Sequence, residues 1–244
     1  MKNWFANRLQ TLAWLTLAAL ITGQLGALHW FAELFSHFVP HYAAIFALAA
    51  LCLRHRWRYL WATLALALTV WTLWPPVLNS PERAATRVIW YNVNLDNSDA
   101  AGESARLIAE NADLIALAEI QLRDPGWQPL RQHYPHGCAH EDSSPFALAV
   151  FAREPLVACD IFFPGEYPAI RAVLRDGRVL YATHPPPPIN AALASARVDY
   201  LRTLADRLAA ENSTLLVGDL NSSPYSPHYR ALLHDADLRA TTRN

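Results

Sequence analysis

The sequence predicts an α/β domain over residues 87–244 behind a helical membrane region over residues 1–78. Three observations carry this. Residues 9–78 hold three apolar stretches, each about twenty residues long, the length a helix needs to cross a bilayer. From Arg87 onward, short runs rich in β-branched and aromatic residues alternate with helical periodicity. Asp176-Gly177 between two such runs is a hairpin signal.

The membrane region comes first. Its expected spans are residues 9–28, 34–53 and 59–78, with Ser36, His37 and His41 at one interface and Trp61, Trp71 and Trp74 as an aromatic belt. A cleaved signal peptide fits poorly, because two further apolar stretches follow the first. Lys2 and Arg8 precede the first span, and Arg54, Arg56 and Arg58 lie between the second and third. The positive-inside rule then makes those segments cytoplasmic. This reading gives a multi-pass protein of the inner (plasma) membrane with the lipid bilayer as partner and its soluble domain facing the periplasm or exterior. A two-span hairpin would return the domain to the cytoplasm. Pro75, Pro76 and Pro81 mark the exit into a linker over residues 79–86.

The soluble part is acidic. Residues 79–244 hold 15 Arg, no Lys and 20 Asp plus Glu, a formal balance of −5. No broad basic stripe for long duplex nucleic acid follows from that balance, although Arg123, Arg131, Arg171, Arg175 and Arg178 could gather at one mouth. Strands are expected at 87–93, 112–119, 146–152, 169–174, 178–183 and 214–217, and helices at 103–110, 191–210 and 229–234. Residues 125–140 read as a loop carrying His133, His136 and His140, whose spacing pairs them on no regular element. Cys138 and Cys159 either remain thiols or pair if the domain lies outside the cytoplasm, and Cys52 reads as a small hydrophobe.

Several residues stand where chemistry is possible. Thr214–Val217 form an apolar strand that opens through Gly218 into Asp219-Leu220-Asn221-Ser222-Ser223-Pro224. A carboxylate and an amide at i, i+2 leave a strand end together, which suits either a site or an ordinary turn. His184 follows the strand 178–183 directly, ahead of four prolines, and reads either as an oxyanion contact or as a surface histidine. Arg197 lies on the apolar side of the helix 191–210, where its guanidinium needs an internal carboxylate or a phosphate.

Asn92 in W-Y-N-V-N, Glu119 in L-A-E, His184 in Y-A-T-H-P and the G-D-L-N-S-S-P segment occur in a familiar order and at familiar distances. Together they resemble the endonuclease/exonuclease/phosphatase superfamily, specifically its bacterial membrane-anchored members. The resemblance implies an αββα four-layer sandwich of the DNase I type. It also implies that Asn92 and Glu119 hold a divalent cation, Mg²⁺ or alternatively Mn²⁺. His184 would contact the phosphate, Asp219 and Asn221 would orient the attacking water and stabilise phosphoryl oxygens, and Arg197 would support substrate binding. Family members usually continue to a late Asp-His pair that supplies the general base. This chain ends 23 residues after Asn221, with His228, His234 and Asp235 in its tail, so the sandwich is expected to be incomplete at its C-terminus. The segment 146–153 also lacks the Gly and Ser common among relatives.

Two functions follow. The first is a membrane-anchored, metal-dependent phosphoesterase, of phosphodiesterase or nuclease type, acting on the non-cytoplasmic side. The second is a catalytically impaired relative that binds phosphorylated ligands. Nucleic acid, phospholipid headgroup, nucleotide and sugar phosphate all remain open as substrates, and no specific protein partner is predicted.

Overall fold

A computed structural model describes residues 2–53, 56–73 and 86–241. In chain order the elements are α1 (Lys2–Gln24), α2 (Trp30–Leu34), α3 (Val39–Cys52), α4 (Trp57–Leu73), β1 (Val88–Asn92), α5 (Ala100–Ala109), β2 (Leu114–Ala118), α6 (Gln128–His133), β3 (His136–His140), β4 (Leu148–Ala152), β5 (Ala158–Phe162), β6 (Ala169–Val173), β7 (Val179–Thr183), α7 (Ala191–Ala209), β8 (Thr214–Gly218) and α8 (Pro227–Asp235). They fall into two units, Met1–Asn79 with Ser222–Asn244, and Ser80–Asn221.

The helical unit packs around aromatic rings. Phe46 stacks on Trp61 at 5.5 Å, and Trp14 sets its edge against Trp57 and Trp61. The Trp61 indole N–H donates to Gln10 Oε1 at 3.4 Å. Ser226 caps α8 by accepting the His228 amide at 3.2 Å, and its own hydroxyl donates to the buried Glu33 carboxylate. Tyr225 meets Trp71 edge-on at 5.1 Å, so the segment after residue 221 packs onto the N-terminal helices.

These findings correct the expectation of three membrane spans. Among the described residues one helical stretch, Trp30–Cys52, is long and apolar enough to cross a bilayer. α1 carries Asn7, Arg8 and Gln10 in its first half and ends at Gln24, before the expected span does, and α4 is described as far as Leu73. Residues 74–78 of the expected third span, like residues 79–85 of the linker, lie outside the described residues. The qualifying stretch contains Glu33 and has a third of its apolar window buried against protein. One candidate helix, by length and composition alone, does not support the multi-pass inner-membrane placement, the bilayer as partner or the outward-facing domain, all of which rested on three spans.

The second unit contains two four-stranded sheets, ordered β1-β2-β4-β3 and β5-β6-β7-β8. In each, one edge pair is parallel, β1 with β2 and β7 with β8, and the remaining pairs are antiparallel. Alternation along the strands gives each sheet two apolar faces. Leu114, Ala116 and Ala118 of β2, Leu148 and Val150 of β4, Ile170 and Ala172 of β6, and Leu180 and Ala182 of β7 fill the space between the sheets. The opposite face of β2 and β4 packs Ile115, Leu117 and Phe151 against Leu107 of α5 and Leu130 of α6. On the second sheet, α7 holds the Arg207 guanidinium 4.2 Å over the Phe162 ring, and its Tyr200 hydroxyl donates to Pro168 O at 2.9 Å. The α/β domain is thus four layers deep.

Two strands have no counterpart in the sequence reading. β3 (H-G-C-A-H) has no β-branched residue, and β5 (A-C-D-I-F) is half exposed. Both are edge strands held by one neighbour, so the burial that writes an apolar pattern is weak there. Cys138 of β3 and Cys159 of β5 form a disulfide with Cα atoms 5.9 Å apart, which joins the two sheets. Cys52 is free and exposed.

Candidate active site

Four of the singled-out residues stand at the C-terminal ends of the two parallel strand pairs. Asn92 ends β1 in register with Ala118, the last residue of β2, and Glu119 follows. Thr183 ends β7 in register with Gly218 of β8, and His184 and Asp219 follow. Parallel pairing brings such ends side by side, which antiparallel neighbours cannot do. The close approach requires glycine at 218, where a Cβ would stand 2.3 Å from Thr183 O.

Glu119 sits in the left-handed region at φ 58°, unusual for a glutamate. Its amide donates to Ala147 O at 2.9 Å, which holds the residue one step beyond the β2–β4 register. Oε1 accepts Asn92 Nδ2 at 2.7 Å and Oε2 accepts the Leu95 amide at 3.0 Å. Asn92 Oδ1 accepts the Asn94 amide at 3.0 Å, which fixes the orientation of the Asn92 side chain.

His184 is 3% exposed. Its Nδ1 lies 3.1 Å from Pro145 O, an acceptor only, so Nδ1 carries the proton. That leaves Nε2 facing Glu119 Oε1 at 3.7 Å. On the other sheet Asp219 Oδ1 accepts the Asn221 amide at 2.9 Å, the turn chemistry open from the sequence. Asn221, at φ 47°, donates Nδ2 to Pro185 O at 2.9 Å, which ties the loop to the residue after His184. Arg197 is fully enclosed and donates Nη1 to Asn221 O at 2.8 Å, so it stands behind the loop. Nearby, burial pushes the Tyr200 phenol far up from its ordinary pKa, keeping it a neutral donor to Pro168 O.

Asn92, Glu119 and His184 therefore form one connected group, and Asp219, Asn221 and Arg197 join it through Pro185. The structure disperses the remaining arginines. Arg171 pairs with Glu211 at 2.7 Å, Arg178 pairs with Asp176 at 2.6 Å, and Arg123 and Arg131 line a separate depression with Gln128 and Gln132. The carbonyls of Pro145, Ala147 and Pro185, which orient three site residues, had no signal in the sequence, since every residue carries a carbonyl.

The donor set has the chemistry of a hard-cation site. Glu119 supplies a carboxylate and Asn92 an amide oxygen, and Mg²⁺ is typically held by one or two carboxylates with water completing its shell. Among the described residues no group of three or more His, Cys, Asp or Glu is placed to hold a metal ion. Asn92 turns its nitrogen to Glu119, and its oxygen, with one lone pair on the Asn94 amide, keeps the second for a cation.

The model of the Endonuclease/Exonuclease/phosphatase family matches residues 89–242. The chain belongs to this family. Membership supports a catalytic role in general and, through its usual members, divalent-metal chemistry. The narrower resemblance to membrane-anchored members is not upheld, because the match begins at β1 and one candidate spanning stretch precedes it.

Solved structures of similar fold include an AP endonuclease from Archaeoglobus fulgidus, 16% identical over 61% of this chain and 70% of that one, with a TM-score of 0.52. An endonuclease/exonuclease/phosphatase protein from Beutenbergia cavernae is 21% identical over 59% of this chain with a TM-score of 0.46, and the match spans 50% of its length. The human Nocturnin catalytic domain is 16% identical over 62% of this chain and 70% of that one, with a TM-score of 0.47. No curated protein matches the sequence.

Proposed function

We propose that the chain is a phosphoric ester hydrolase in which water attacks phosphorus in line with the leaving oxygen. What supports the reading is the convergence of Glu119, His184 and the Asp219-Asn221 loop at neighbouring strand ends, with Glu119 Oε1 3.7 Å from His184 Nε2. The roles follow from the free atoms. His184 Nε2, once protonated, donates to a phosphoryl oxygen, and burial shields that contact from water. Asp219 commits Oδ1 to the Asn221 amide and keeps Oδ2 for the attacking water. Asn221 uses one Nδ2 hydrogen on Pro185 O and keeps the other for a phosphoryl oxygen. Arg197 holds the loop backbone from behind. Glu119 and Asn92 would hold Mg²⁺, or Mn²⁺ in its place, and the cation would offset the charge that builds on the phosphoryl oxygens.

The intact chain should hydrolyse bis(p-nitrophenyl) phosphate in the presence of Mg²⁺. Glu119→Gln and Asp219→Asn should each lower turnover by about 10²- to 10⁴-fold. Unchanged turnover in both variants refutes the assignment. Ligand uptake without turnover at any Mg²⁺ concentration would mark a phosphate-binding protein instead.

A further inference from the structure

Phe146 occupies a position that no catalytic role explains. The residue before it, Pro145, gives its carbonyl to His184 Nδ1 at 3.1 Å, and the residue after it, Ala147, gives its carbonyl to the Glu119 amide at 2.9 Å. Two site residues therefore hold the backbone on both sides of Phe146, and the ring lies beside His184. An upstream turn fixes the approach: Asp142 accepts the amide and hydroxyl of Ser144, and Ser144 Oγ accepts the Phe146 amide at 3.2 Å.

The ring belongs to neither hydrophobic core of the α/β unit. It meets Tyr167 edge-on with centroids 4.6 Å apart at 69°, and the His184 imidazole lies 6.0 Å away at 48°. Both Phe146 and Tyr167 are half-buried, on loops rather than within strands. Tyr167 is fixed as well, since the next residue, Pro168, accepts the Tyr200 hydroxyl. A rigid, partly open aromatic pair next to the imidazole is a surface for a flat ring. An aromatic pair of this kind adds offset-stacking and edge contacts to the area it buries. Aliphatic side chains would close the same strand ends equally well without that preference.

We propose that Phe146 and Tyr167 form an aromatic wall that receives a planar ring carried by the phosphate ester, making them determinants of substrate choice. The inference rests on the phosphoesterase reading only for the location of the phosphate. The ring is either a nucleobase, one sugar away from the phosphorus, or an aryl group on the ester oxygen itself.

Calorimetry on the intact chain with Mg²⁺ separates these. Uridine 5′-monophosphate is compared with ribose 5-phosphate, and phenyl phosphate with ethyl phosphate, so each pair differs chiefly in its ring. At least one ring-bearing ligand should bind about tenfold or more tightly than its partner, as base stacking on an aromatic side chain commonly yields. The pair that shows the gap names the source of the ring. Phe146→Leu, which keeps bulk and loses the flat face, should shrink that gap to about twofold, as should Tyr167→Leu, whereas Tyr167→Phe should preserve it. Equal affinities within both pairs, or a gap that survives Phe146→Leu, overturn the proposal. Failure of bis(p-nitrophenyl) phosphate hydrolysis would overturn the catalytic reading and leave the ligand gap measurable.

Discussion

The Cys138–Cys159 disulfide closes the passage of the chain from one sheet to the other. Cys138 lies opposite Val150 on β4 and Cys159 opposite Ala172 on β6, so the bond joins two edge strands, each with one strand neighbour. Between them run β4 and the crossover to the second sheet. The cysteines are 21 residues apart in sequence. A loop of that length, cross-linked in the unfolded chain, corresponds to about 3 kcal/mol of stability. With a urea dependence of roughly 2 kcal/mol per molar, loss of the bond should move the unfolding midpoint of the α/β unit by about 1.5 M. Because tryptophans populate both units, the assay is hydrogen exchange of the peptide covering Leu148–Ala152 across a urea series. The double variant Cys138→Ser/Cys159→Ser and the reduced wild-type chain should shift together, and Cys52→Ser, at the exposed free thiol, should not shift. A midpoint change below about 0.3 M in both, well under the entropic expectation, would refute the staple argument.

Other consequences are equally direct. Gly218→Ala forces a methyl group to within 2.3 Å of Thr183 O, and should cost about 1–3 kcal/mol, read as a fall in Tm, together with a loss of hydrolysis. Arg197→Met, which fills the space but cannot donate to Asn221 O, should lower kcat far more than it raises KM, and a proportionate rise in KM alone would return Arg197 to direct substrate binding. Hydrogen bonding from Arg171 holds the Glu211 carboxyl below its usual pKa. A depressed folded-state value means that this stabilisation is full above the unfolded pKa, roughly 4.3, and is lost as pH falls through the lower folded value. Glu211→Gln should therefore flatten the dependence of stability on pH below about 4.3, and an unchanged acid limb in chemical denaturation would contradict the linkage.

Much of the α/β unit was legible because its central strands are buried on both faces. β2, β4 and β7 are buried throughout, and each of their ends is followed or opposed by a polar residue that stands out against the run. α7 carries its own signal in Leu201, Leu204 and Leu208, and Asn190 caps it by accepting the Leu193 amide at 2.9 Å. α5 starts three residues before its expected beginning because Asp99 caps it, accepting the Gly102 amide, and the polar stretch before Glu103 hid that cap. The edge strands β3 and β5 and the short α6, with Pro129 in its first turn, lack the burial or length that makes a pattern.

The sequence by itself determined the order of β1, α5, β2, β4, β6, β7, α7 and β8 and the placing of Asn92, Glu119, His184 and Asp219 at strand ends, because these depend on local spacing and on which residues avoid water. Only the tertiary structure decided which carbonyls orient those side chains, that Arg197 lies behind the loop, that Cys138 finds Cys159, and what the apolar N-terminal residues pack against. Hydropathy states that a side chain leaves water; it does not say whether lipid, a neighbouring helix or a distant segment such as Tyr225 takes the water's place.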